Sequence, residues 1–276
     1  NDLLIVFCNL KPNQPIHNRN LTGSNQPGKQ LVPDDWTFDI ANESGRDELR
    51  DARLMHAALP NKLKVLILYG SLRQRSYSQL LSFEIARILH HIGADVRVFN
   101  PDGLPLKDDC SEHHPKVQEL RQLVSWSEAN FWVSPEQHGA ITGIMKTQID
   151  HIPLSLGSVR PTQGKILAVA QVNGGSQSFN AVNTLRLLGR WMRMHTIPNQ
   201  SSVPKAWTAF SPEGRFLLIS NRDRVVDVCE ELVKVSCLFY GKHDLFASRW
   251  SERKEKEIKG RLLSQEEKEN ENKKSS

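Results

Sequence analysis

The chain has 276 residues, of which 38% are hydrophobic, with six tryptophans and a formal charge of +5. That is enough apolar material for one main domain with extensions, and no apolar run approaches the ~20 residues that span a bilayer. The mild basicity comes without a basic patch interleaved with aromatics, so neither a nucleic-acid partner nor a membrane one is expected.

Residues 1–60 read as an N-terminal arm. Lys11 to Pro33 is rich in Asn, Gln, Pro and Gly, the composition of an extended or disordered segment. Trp36, Phe38 and Ile40 alternate like a short strand, and Glu48 to Leu59 has helical spacing, closed by Pro60. The chain begins at Asn1, so a fragment, a processed form and a removed signal peptide all stay open.

Residues 61–245 alternate between strand and helix patterns. Strands are predicted at Lys64 to Tyr69, Asp95 to Phe99, Ala129 to Val133, Lys165 to Val172 and Met194 to Ile197. Helices are predicted at Ser78 to His91 with Gly93 as the stop, Pro115 to Ser125, Thr142 to His151, Phe179 to Trp191 and Asp223 to Phe239. Leu154 to Thr162 is a long excursion. Residues 246–276 form a tail, almost wholly charged from Ser251 onward, read as a frayed helix or a disordered segment. The alternation implies an α/β fold: a five-stranded parallel sheet with helices on both faces. Ligands of such sheets bind at the carboxyl ends of strands, near the switch in strand order.

Three unusual loops follow strands and so share one sheet edge. The first, Gly70 to Ser78, is dense in hydroxyls and arginines: Ser71, Arg73, Arg75, Ser76, Tyr77 and Ser78. Strand, polar loop and helix N-terminus make an anion cradle, because free N–H groups and the helix dipole face the anion. A surface loop with an ordinary serine cap is the alternative. The loop is neither GxxxxGK[ST] nor GxGxxG, so it suits a terminal phosphate monoester such as that of FMN. The second loop holds Ser134, Pro135, Glu136, Gln137, His138 and Gly139, whose N–H groups could face the edge of a flavin ring. His138 is open to three roles: general acid, hydrogen-bond donor to the flavin, or loop residue. The third loop, Asn173 to Ser178, offers close backbone approach at Gly174, Gly175, Ser176 and Gln177, or simply a turn that caps the next helix.

No catalytic side chain and no metal site are predicted. Cys8, Cys110, Cys229 and Cys237 are scattered without a CxxC, which signals neither a disulfide framework nor zinc and fits free thiols in a reducing cytosol. No G-x-S-x-G elbow is present among the serines.

The stretches GSLRQRSYS, SPEQHGAITGIMKTQID, PLSLGSVRPTQGK, GGSQSFNAVNTLRLLGRWMRM and TIPNQSSV together resemble the NADPH-dependent FMN reductases, and more narrowly their ArsH arsenical-resistance branch. The resemblance covers roughly residues 64–210. It implies a flavodoxin-like fold and an FMN whose phosphate is held by Ser71, Arg73, Ser76 and Ser78, with Tyr77 beside it. It implies that Pro135 to Gly139 line the isoalloxazine and that Gly175 to Gln177 close over it. It further implies a cytoplasmic homotetramer that reduces FMN with NADPH and passes electrons to oxygen, quinones or azo dyes. In the ArsH branch it implies oxidation of trivalent methylarsenicals. Gln137 stands where many members carry an arginine. Two other readings of the same fold are a flavodoxin-type electron carrier and a non-catalytic flavin-binding regulator.

Overall fold

In the computed structural model, residues 49–109, 112–153, 161–217, 219–247, 249–263 and 265–275 are described. The expectations for Lys11 to Pro33, for Trp36, Phe38 and Ile40, and for most of the Leu154 to Thr162 excursion lie outside these residues.

The sheet is built from near-continuous apolar runs, as parallel strands covered on both faces require. Strands β1 (Lys64–Tyr69), β2 (Asp95–Phe99), β3 (Ala129–Gln137), β5 (Ile166–Val172) and β6 (His195–Thr196) lie in the order β2-β1-β3-β5-β6. All of these neighbours pair in parallel. Counted as parallel strands, this is the 2-1-3-4-5 order of flavodoxin-like sheets, with its switch point between β1 and β3. Two short strands complete a seven-stranded sheet: β4 (Ala140–Ile141) folds back on β3, and β7 (Ser201–Val203) pairs with β5.

The pleat sends alternate side chains to two cores. Val65, Ile67, Phe131, Val133, Ala168 and Ala170 join one core. It is closed by α1 (Arg50–Ala57), α2 (Tyr77–Ile92) and α6 (Ile219–Phe239), through Ala52, Leu81, Ile85, Val228 and Leu232. Leu66, Leu68, Trp132, Leu167 and Val169 join the other. There α3 (Pro115–Trp126), α4 (Gly143–His151) and α5 (Asn180–Trp191) supply Leu120, Val124, Met145, Ile149, Val182 and Leu185.

The helix ends follow their sequence signals. Ser76 caps α2, its Oγ accepting from the Gln79 N–H at 3.1 Å. Gly93 ends that helix at φ 119°, a left-handed conformation that favours glycine. Two features of the sheet differ from expectation, and the tail takes the helical one of its two readings. β3 runs four residues past Val133, through Pro135 to Gln137, because Pro135 sits opposite Val172 near the end of the pairing with β5. The fifth strand position is split into β6 and β7, with Pro198 between them unable to donate a ladder hydrogen bond. The tail forms α7 (His243–Ala247), α8 (Trp250–Lys259) and α9 (Gln265–Ser275). Lys268 pairs with Glu255 at 2.8 Å and Lys259 with Glu271 at 2.9 Å, linking α8 to α9.

Candidate functional site

A cleft of about 380 Å³ opens at the carboxyl ends of β1, β3 and β5. On one side stand Ser71, Arg73, Arg75, Ser76, Tyr77 and Ser78; behind them are Pro135, Glu136, Gln137 and Thr142; on the far side are Val172, Asn173, Gly174, Ala206 and Trp207.

The first wall is the head of α2. Ser76 Oγ and Ser78 Oγ are 3.1 Å apart and both residues are buried. The first N–H groups of the helix lack intrahelical acceptors. The Arg73 side chain is exposed, and no carboxylate pairs with it among the described residues. Arg75 does a different job. Its guanidinium donates to the carbonyls of Pro212 (2.9 Å) and Ser211 (2.5 Å), pinning that turn beside the cleft. Arg215 from the same turn bonds the fully buried Glu84 of α2 at 2.7 Å, and Arg87 also pairs with Glu84. Tyr77 stacks on Phe210, with ring centroids 6.0 Å apart.

Gly70 lets β1 meet α4. Its carbonyl accepts from Thr142 Oγ1 at 2.6 Å, and Thr142 Oγ1 in turn caps α4 by accepting from the Met145 N–H at 3.2 Å. A side chain at Gly70 would collide there: its Cβ would lie 2.8 Å from Thr142 Oγ1 and 2.9 Å from Met145 Cβ.

The second wall is a hairpin rather than an irregular loop. Glu136 and Gln137 pair with Ile141 and Ala140, leaving His138 (φ 50°) and Gly139 (φ 71°) as a two-residue turn. Positive φ at both positions is the signature of a type I′ hairpin. The Glu136 carboxylate accepts from Gln171 Nε2 at 2.7 Å, Ser178 Oγ at 2.8 Å and the Ala181 N–H at 3.4 Å. Partial burial pushes this carboxyl up, but the Ser178 and Gln171 hydrogen bonds and the N–H groups of Ala181 and Asn180 outweigh it and hold it below its usual range. It thus joins β3, the third loop and the N-terminus of α5, where a negative charge also suits the dipole. Gln171 Oε1 in turn accepts from the Val182 N–H at 3.0 Å.

Of the predicted residues, Ser71, Arg73, Ser76, Tyr77, Ser78, Pro135, Glu136 and Gln137 line the cleft. His138 and Gly139 stand exposed on the hairpin turn, and Gly175, Ser176 and Gln177 are exposed beyond the rim. Gly175 acts through its carbonyl, which accepts from the Lys205 N–H at 3.0 Å. Thr142, Val172, Asn173, Ala206 and Trp207 were not predicted as site residues. Asn173 had a signal, since it opens the NGGSQS loop; Ala206 and Trp207 had none, being brought in by β7.

The ends of the cleft differ in chemistry. The α2 end offers hydroxyls, the N–H groups of a helix N-terminus and an arginine, a donor set for a phosphate. At the third-loop end, Asn173 Oδ1 is buried without a hydrogen-bond partner among the described residues, an acceptor that suits a ring N–H. Both ends match a nucleotide-like molecule carrying a phosphate and an imide.

The chain matches the model for NADPH-dependent FMN reductases over residues 63–208. The NADPH-dependent FMN reductase ArsH of Rhizobium meliloti (strain 1021) is 61% identical over 204 residues, 74% of this chain and 85% of that protein. The chain belongs to the NADPH-dependent FMN reductase family, in its ArsH branch. The ArsH of Acidithiobacillus ferrooxidans (strain ATCC 23270) is 59% identical over 192 residues, 70% of this chain and 81% of that protein. FMN and NADPH are the cofactors of the reductase family. Among solved structures, FerB, a flavoenzyme NAD(P)H:(acceptor) oxidoreductase from Paracoccus denitrificans, superposes with a TM-score of 0.52 at 18% identity. It covers 66% of this chain and 98% of FerB, and carries the likeness of fold. Among the described residues no helix of this reductase is long and apolar enough to cross a membrane, and no three His, Cys, Asp or Glu residues cluster as metal ligands.

Proposed function

We propose that this reductase holds FMN in the cleft and oxidises trivalent methylarsenicals, with quinones, azo dyes and oxygen as electron acceptors. The observation that carries the reading is the convergence of three strand ends on one cleft whose α2 end is a phosphate cradle. Ser71, Arg73, Ser76 and Ser78 bind the phosphate, and Tyr77 flanks it. Pro135 to Gly139 present the hairpin edge to the flavin ring, with Pro135 and Gln137 in the cleft and His138 and Gly139 at its rim. Gly175 to Gln177 brace the opposite wall. Bound FMN supplies the redox chemistry, taking two electrons from NADPH or from a reduced substrate and giving them to an acceptor. The protein's part would be to hold and orient the ring.

Thiols are not part of this reading. Cys229 is fully buried on α6 and burial pushes its thiol far up; the half-buried Cys237 is pushed up to about 11 by burial. Neither lines the cleft. Neither of these two thiols therefore grips the arsenical in this reading, which has it meet the flavin ring; Cys8 and Cys110 lie outside the described residues. We extend the proposal to a cytoplasmic homotetramer, which the ArsH resemblance supports.

The test is an anaerobic screen that follows flavin absorbance. Methylarsenite should bleach the oxidised enzyme, and a quinone, an azo dye or oxygen should each restore colour to the NADPH-reduced enzyme. Oxidised enzyme left unchanged by methylarsenite removes the arsenical from the proposal.

A further inference from the structure

Trp207 is 62% exposed, yet it lines the cleft. Its ring has no aromatic or cation–π partner among the described residues, whereas Tyr77 across the cleft is stacked on Phe210. Its backbone, by contrast, is fixed. Trp207 sits in the 3-10 turn Ala206–Thr208, entered through Lys205 at φ 44°, a left-handed conformation that a non-glycine residue seldom adopts. The Lys205 N–H donates to Gly175 O and the Ala206 N–H to Asn173 O, both at 3.0 Å. Thr208 closes the turn, its N–H donating to Lys205 O at 2.8 Å. The third loop therefore fixes the backbone that carries the indole. The turn is entered in this uncommon conformation, and Trp207 lines the cleft together with the apolar Val172 and Ala206.

The geometry points to Trp207 as the stacking wall of this cleft, covering one face of a planar nitrogen heterocycle. This rests on the functional reading above, which provides two such rings, the flavin of FMN and the nicotinamide of NADPH. Because the turn is already rigid, stacking orders little beyond the ring itself.

Three variants test it: Trp207→Ala, Trp207→Phe and Trp207→Leu, each checked for folding by circular dichroism. Apoprotein is titrated with FMN, and holoenzyme with NADP+. If the flavin is the ring, Trp207→Ala binds FMN about tenfold more weakly, as for the loss of one ring stack, and bound flavin fluoresces more strongly because an indole quencher has gone. If the nicotinamide is the ring, FMN affinity holds and NADP+ affinity falls about tenfold instead. In either arm Trp207→Phe restores most of the affinity, and Trp207→Leu replaces Trp207→Ala should that variant not fold. Unchanged affinity for both ligands, or an equal loss in the Phe and Ala variants, overturns the stacking role. Wild-type protein that binds no FMN overturns the functional reading itself, and the proposal with it.

Discussion

Replacing Gly70 by alanine tests the link between the fold and the cleft. The added methyl would lie 2.8 Å from Thr142 Oγ1, 2.9 Å from Met145 Cβ and 3.2 Å from Pro135 Cδ. Two of these neighbours are core or backbone-linked atoms with no free end to swing away. Overpacking of this kind costs about 1–3 kcal/mol. Moving Thr142 also weakens its bond to Gly70 O and its cap on α4, each worth about 1 kcal/mol. The expected loss is about 2–4 kcal/mol after partial relaxation. Urea denaturation read at constant m-value measures it. FMN affinity should fall as well, since Ser71 is the next residue. Gly174→Ala is the matched control. It lies in the same cleft, but a methyl there meets nothing within 4 Å. Its stability should stay within about 0.5 kcal/mol of wild type. A Gly70→Ala protein as stable as the control would refute the claim that this glycine is required by close approach.

Glu136→Gln should cost about 2 kcal/mol, because a carboxylate that accepts from three elements becomes an amide with donors of its own. The folded-state pKa of Glu136 is depressed, so its stabilisation is complete above the unfolded value of about 4.3 and is lost as pH falls through the folded value. The stability gap between wild type and Glu136→Gln should therefore narrow on acidification below about pH 4, as followed by chemical denaturation. Native protein at neutral pH should leave Cys229 and Cys237 unalkylated by iodoacetamide, and both should react in urea, since burial raises both thiols. A Cys229→Ser, Cys237→Ser double variant should keep its response to methylarsenite, and loss of that response with FMN still bound would implicate a thiol.

Much of the frame was legible because local patterns and tertiary demands agree. The KVLILY run of β1, the serine cap and glycine stop of α2, and the apolar period of α5 each carry their own signal. The failures sit where tertiary pairing overrides a local breaker. Ser134 to Gln137 reads as a loop because of Pro135, but pairing with β5 and the His138 and Gly139 turn make it a hairpin. Glu136 lines the cleft, and its sequence context gives no sign that its oxygens turn to Gln171, Ser178 and α5. The third loop is also tied to the turn that carries Ala206 and Trp207, through the bonds of Lys205 N–H to Gly175 O and Ala206 N–H to Asn173 O. No periodicity announces that partnership, because it depends on β7 docking along β5 some thirty residues earlier.

The central claim is that the head of α2 holds the phosphate of FMN. It is tested most directly by titrating wild-type apoprotein and an Arg73→Ala, Ser76→Ala double variant with FMN and, in parallel, with riboflavin. Each charge-assisted hydrogen bond contributes about 1.5–3 kcal/mol, so the double variant should bind FMN at least about a hundredfold more weakly. Riboflavin, which lacks the phosphate, should bind both proteins alike. Equal FMN affinity in the two proteins, or an equal loss for FMN and riboflavin, would contradict the assignment.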